Sequence, residues 1–176
     1  MIVLLPPSET KHQPSRGKAL DLAGLSFPAL GHTRAAVLAE LVDLSGQPSA
    51  LEVLGVSAGL ADQVARNQRL ATAPTATAGA IYTGVLYDAL DLASMDSSAR
   101  RRAARRLIVV SALFGALRIT DRIPAYRLSM GVTLPAQGRL AALWREPLGQ
   151  VLPDEVGRGL IVDARSLRPA PDLVAQ

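Results

Sequence analysis

The stretch Leu107–Gly131, LIVVSALFGALRITDRIPAYRLSMG, constrains this chain more than any other. Its opening run, Leu107 to Val110, is continuously apolar, and a strand with one face in water would alternate apolar and polar residues, so the run predicts a strand buried on both faces. Ser111, Gly115, Arg118, Thr120, Asp121, Arg122, Tyr126 and Arg127 then follow within seventeen positions. A core strand that delivers small, charged and hydroxyl-bearing groups directly off its end places them where functional loops sit.

Two other apolar runs share that layout. Ile2–Leu5 ends at Pro6-Pro7, whose missing amide hydrogens stop a ladder, and Leu160–Val162, read as an inner strand, is followed by Asp163, Arg165 and Ser166. Three such runs with helical patterns between them predict one α/β (α+β) domain spanning residues 1–176, with a mixed sheet flanked by helices and one basic cleft. A chain of 176 residues suffices for one core. No apolar run approaches the roughly 20 residues needed to cross a bilayer, and MIVLLPP has no basic region ahead of it, so it reads as a first strand rather than a signal peptide. The expectation is a cytoplasmic protein with no membrane partner.

Cysteine is absent, which excludes disulfides, thiolate metal ligands, iron–sulfur clusters and thiol-based peroxide sensing by this chain. His12 and His32 lie outside helical i, i+4 spacing, so no metal site is expected on them, and no cofactor is implied. The formal charge of +4 is modest but unevenly placed. Arg100, Arg101, Arg102, Arg105 and Arg106 crowd one predicted helix, SARRRAARRL, capped by Ser97 or Ser98. Its i, i+4 like-charge pairs weaken an isolated helix. They serve either a solvated face at the helix C-terminus or binding to a phosphate backbone.

Taken in order, the polar loop SETKHQPSRGK carries Glu9, Lys11, Arg16 and Lys18 and is either a solvated loop or a lid. Thr33 is read as the cap of a helix through Leu44. Ser49 and Glu52 form a capping-box pattern opening a second, short helix that ends at Gly55, and a third runs from Ser57 to Asn67. Residues 49–68 thus have a helix-hairpin-helix-like shape, two short helices joined by Leu54-Gly55-Val56; a glycine turn ahead of a helix suits phosphate, though plain core packing has the same pattern. The Ala/Thr-rich run 71–80 reads as an extended connector, and Tyr82, Thr83 and Gly84 precede a helix in a second turn suited to an anion. GVTLP reads as a short strand and GRLAALWREPLGQVLP as an amphipathic helix with Trp144 in the core.

The segments MIVLLPPSETK, GAIYTGVLYDAL and SALFGALRITDRIPAYRLSMGVTLP, in this order and spacing, resemble the YaaA family of bacterial peroxide-stress proteins. The resemblance implies a longer protein, with segments after Ser166 and at the C-terminus that this sequence lacks. It also implies a helix-hairpin-helix at the Gly55 turn, although Gly59 stands where the family often has lysine. By that resemblance the chain would bind duplex DNA non-specifically through a positive cleft and limit damage from peroxide and unincorporated iron.

Arg118, Asp121, Tyr126 and Arg127 are the candidate catalytic residues if the protein is an enzyme. Gly55, Ser57, Tyr82, Thr83, Gly84, Arg101, Arg102, Arg105 and Arg106 are candidates for nucleic-acid or anion binding, and Glu9, Lys11, Ser111, Arg165 and Ser166 for other cleft positions. Two functions follow: a DNA-binding protein of the oxidative-stress response, or an enzyme acting on a nucleotide-like or other anionic small molecule, with Asp121 or Glu9 handling a proton. Tyr82, Thr83, Arg118, Asp121, Tyr126 and Arg127 are expected to share one cleft.

Overall fold

The computed structural model describes residues 1–157 and 159–165. In chain order its elements are β1 (Ile2–Leu5), α1 (Gly31–Leu44), α2 (Ala50–Val53), α3 (Ala61–Asn67), β2 (Ala76–Thr77), α4 (Ala78–Ile81), α5 (Val85–Leu90) and α6 (Ser97–Arg106). There follow β3 (Leu107–Ser111), β4 (Gly115–Arg118), β5 (Arg122–Ile123), β6 (Thr133–Leu134), β7 (Gly138–Arg139), α7 (Leu140–Leu143), α8 (Arg145–Val156) and β8 (Ile161–Asp163).

The architecture is a mixed four-stranded sheet in the order β4-β3-β1-β8 with helices around it. The apolar run of β3 pairs in parallel with β1, Val3 opposite Leu107, and in antiparallel with β4, Ile108 opposite Arg118, and Ile108 to Ser111 are buried. β1 also pairs in parallel with β8, Ile2 opposite Ile161. The carboxyl ends of β1, β3 and β8 therefore lie along one edge, with β1 flanked by strands from separate excursions of the chain, which is where open α/β sheets form crevices. No helix among the described residues is long and apolar enough to cross a membrane.

Several local expectations are corrected. Among the described residues β8 lies at the edge of the sheet rather than inside it, with Leu160 and Val162 exposed. The first helix starts at Gly31, because a 3-10 turn over Pro28–Leu30 leads straight into it, so Thr33 is no cap. Ser49 sits in the helical region with no side-chain cap bond, so the capping box does not form. Asp96, not Ser97 or Ser98, caps α6; its carboxylate accepts from the Ala99 amide at 2.7 Å, and that bond holds its pKa below the usual value. The run 71–80 is not wholly extended, since it closes as β2, paired with β5, and the first turn of α4. The expected strand GVTLP contributes only the two residues of β6, and the helix after it is broken into α7 and α8 at Trp144.

Trp144 is buried, and its indole N–H donates to the Ala112 carbonyl at 2.8 Å. That bond fixes the ring across the β3–β4 turn, where Gly115 has φ +67°.

Candidate functional site

The loop after β1 is docked against the segment after α4. Lys11 and Tyr82 form an antiparallel bridge, the His12 amide donates to the Ile81 carbonyl at 2.8 Å, and the Thr83 amide donates to Ser8 Oγ at 3.0 Å. Thr83 Oγ1 meets both the carbonyl and the hydroxyl of Thr10 at 3.1 Å. Gly84, at φ +98°, turns the chain into α5. Tyr87 on that helix donates to the Pro6 carbonyl at 2.6 Å, closing a cleft of about 240 Å³ lined by Pro6–Thr10 and Thr83–Tyr87.

Beneath this loop three hydroxyls form a chain. Ser111 Oγ accepts the amides of Leu113 and Phe114 at 3.2 and 3.1 Å and lies 2.7 Å from the Tyr126 hydroxyl, which lies 3.0 Å from that of Tyr82. With both lone pairs of Ser111 used by amides, its hydrogen goes to Tyr126, and the Tyr126 and Tyr82 hydroxyls share the next bond. Burial pushes the pKa of both tyrosines up, so their hydroxyls stay protonated in alkaline solution.

Lys11 covers this chain. Its Nζ stands 4.5 Å above the centre of the Tyr126 ring and 5.7 Å from that of Tyr82, and it donates to the Ser8 carbonyl at 2.7 Å. Desolvation, reinforced by the positive charge of Arg127 and partly offset by Glu9, lowers its pKa to about 8. Arg127 is set by Asn67, which is fully buried. The Asn67 side chain accepts the Arg127 amide and donates to its carbonyl, both at 2.9 Å, while the Arg127 guanidinium reaches the Glu9 carbonyl at 3.4 Å.

The structure thus brings Glu9, Lys11, Tyr82, Thr83, Gly84, Ser111, Tyr126 and Arg127 together, and it does not bring Arg118 or Asp121 to them. Asp121 accepts from the Ser26 amide and hydroxyl at 3.1 and 2.7 Å and from the Arg118 amide at 2.9 Å, so its two oxygens staple separate loops together. The Arg118 guanidinium pairs with Glu155, donates to the Arg105 carbonyl and packs over the Phe27 ring at 5.3 Å. Arg165 forms a bidentate pair with Asp163, and Ser166 lies outside the described residues.

At the Gly55 turn, with φ +63°, the Val56 amide donates to Leu51 O and the Gly55 amide to Glu52 O, a Schellman cap that commits both amides to α2. Ser57 precedes a 3-10 turn over Ala58–Leu60, and a cleft of about 540 Å³ between Glu52–Gly55 and Ser129–Thr133 has no basic residue in its lining. Arg101, Arg102, Arg105 and Arg106 are all exposed on α6.

The family described as Peroxide stress protein YaaA matches residues 1–168. The chain belongs to the peroxide stress protein YaaA family. It is 57% identical over 168 residues to a UPF0246 protein of Streptomyces coelicolor, covering 94% of this chain and 65% of that relative. Identity is 42% over 170 residues to one from Corynebacterium glutamicum, and 29% over 174 residues to one from a Ruegeria species, each covering 94% of this chain and 66% of the relative. This YaaA-family chain therefore spans about two thirds of the length of the curated relatives it matches.

Ser8, Thr10, Asn67 and Tyr87 are the members of this region that sequence reasoning misses. The hydroxyls of SETK between a proline pair and a lysine are a visible signal for the first two; Asn67, at a helix end, carries none. The Lys11 environment has a stability consequence. Below pH 8 folded and unfolded chains both carry the proton, and the full cost of burying the ammonium is present. Between about 8 and the ordinary 10.5 the unfolded chain binds more protons, so stability from this group rises with pH. Lys11→Met removes that contribution. Its urea midpoint relative to the unsubstituted chain should be most favourable below pH 8 and lose that advantage towards pH 10.5; a difference independent of pH would contradict this.

Proposed function

We propose that this YaaA-family chain acts in the peroxide-stress response by binding duplex DNA non-specifically and so limiting iron-dependent damage to it. The observation that carries the reading is α6: Arg100, Arg101, Arg102, Arg105 and Arg106 are exposed on ten residues of helix. The ion pairs found among the described residues, Arg118–Glu155 and Arg165–Asp163, involve none of them. Like charges crowded on one helix weaken it, and a polyanion that neutralises them relieves the repulsion. Gly55 and Ser57 enter as a second place for phosphate, through backbone beyond the turn, since the Gly55 amide is committed to the helix cap.

The test is the salt dependence of DNA affinity. Replacing Arg101, Arg102, Arg105 and Arg106 by alanine should reduce the slope of log K against log salt by about 0.9 for each arginine that neutralises a phosphate. An unchanged slope would overturn the reading. An enzyme acting on a nucleotide-like or other anionic small molecule is the second reading, favoured by the desolvated Lys11 beside Arg127 and not by Asp121, whose oxygens are occupied.

A further inference from the structure

The chain contains seventeen arginines and two lysines, Lys11 and Lys18. Where only a positive charge is needed this composition supplies arginine, so the lysine at the tyrosine cluster calls for a chemical reason. Lysine differs from arginine in that its amine can give up its proton and attack an electrophile. Lys18 is exposed, whereas the Lys11 amine lies against two aromatic faces and two backbone carbonyls, those of Ser8 and Glu9, with no carboxylate in ion-pair reach among the described residues. Arg127 stands by as a second cation, its backbone locked by Asn67. Desolvation and a neighbouring cation are the two arrangements that turn a lysine into a nucleophile at neutral pH, and both are present.

We propose that Lys11 is the amine nucleophile of a small-molecule site, condensing with an aldehyde or ketone whose anionic group pairs with Arg127. The nitrogen lone pair forms the C–N bond as the carbonyl π bond opens. Both amine protons end on the carbonyl oxygen, which leaves as water, so an imine and one water are produced and nothing is oxidised or reduced. The Lys11 amine and the Arg127 guanidinium converge on the Glu9 carbonyl, at 3.5 and 3.4 Å, and Glu9 also lines the neighbouring cleft between Pro6–Thr10 and Thr83–Tyr87. This site goes beyond DNA binding by α6 and does not rest on it.

The experiment traps the imine on the full chain. Glyoxylate, an anionic aldehyde, and propionaldehyde, a neutral one, are each supplied with cyanoborohydride, and adducts at Lys11 and Lys18 are followed by peptide mass spectrometry. A pKa of about 8 rather than 10.5 enriches the neutral amine, so Lys11 should be modified at pH 7 at least about tenfold faster than Lys18. Arg127→Gln should slow the glyoxylate reaction at Lys11 by more than the propionaldehyde reaction, and Arg127→Lys should restore part of the difference. Removing the four α6 arginines should leave both rates unchanged, so the two proposals fail separately. Equal rates at Lys11 and Lys18 would overturn the nucleophile, and equal slowing of the two aldehydes in Arg127→Gln would overturn the anion partner.

Discussion

Arg34→Met should destabilise the fold by on the order of 3–5 kcal/mol, a large share of the roughly 5–15 kcal/mol available to a domain. Arg34 is fully buried on α1, and its guanidinium donates to the carbonyls of Phe114, Ser26 and Ala116 at 2.8, 2.7 and 2.7 Å. Burial lowers its pKa to about 10, with Asp121 opposing that shift, so it remains charged at neutral pH. Methionine fills similar space and removes a buried charge, but it leaves those three carbonyls without their donor. Stranding a partner, rather than losing the pair, is what makes such a change costly. Urea denaturation checks it; a destabilisation below about 1 kcal/mol would mean that the carbonyls find other donors.

Gly115→Ala should cost about 2–4 kcal/mol, for two separate reasons. Its φ of +67° lies in the left-handed region that a Cβ disfavours, and the added methyl would stand 2.6 Å from Trp144 Cζ3. Trp144 cannot move aside without giving up its bond to Ala112, because the ring is buried and held at Nε1. Thermal unfolding of this variant alongside Trp144→Phe separates the two causes: if strain in the turn dominates, the smaller ring will rescue little, and if the clash dominates it will rescue most. A Gly115→Ala protein as stable as the parent would contradict both.

The sheet is legible in the sequence because β1 and β3 are continuous apolar runs whose neighbours break them sharply, and periodicity is read locally. The third run misleads because three apolar residues do not distinguish an inner strand from an edge; among the described residues β8 takes the edge, leaving Leu160 and Val162 exposed. Of the residues expected in one cleft, Tyr82, Thr83, Tyr126 and Arg127 sit around Lys11, while Asp121 and Arg118 are held elsewhere. Nothing near Asp121 in sequence announces Ser26, 95 positions away, as its partner. Arg34 is invisible for the same reason, since in RAAVLAELVDL an arginine reads as a solvated helix position, and only the β3–β4 hairpin some 80 residues later supplies the carbonyls that bury it. Lys11 reads as a cleft candidate in a polar loop, but its desolvation is not legible there, because it depends on two tyrosines from separate segments.

Lys11 lying over Tyr82 and Tyr126 beside Arg127 is the heart of the candidate site, and the chain's two lysines make this directly measurable. Carbon-13 labelling of the lysine Cε positions gives two resonances to follow with pH, assigned by Lys18→Arg. The Lys11 resonance should titrate near pH 8, and Arg127→Gln, which removes the neighbouring positive charge that lowers this pKa, should move it upward. A Lys11 resonance titrating near the ordinary 10.5 would contradict the site as described.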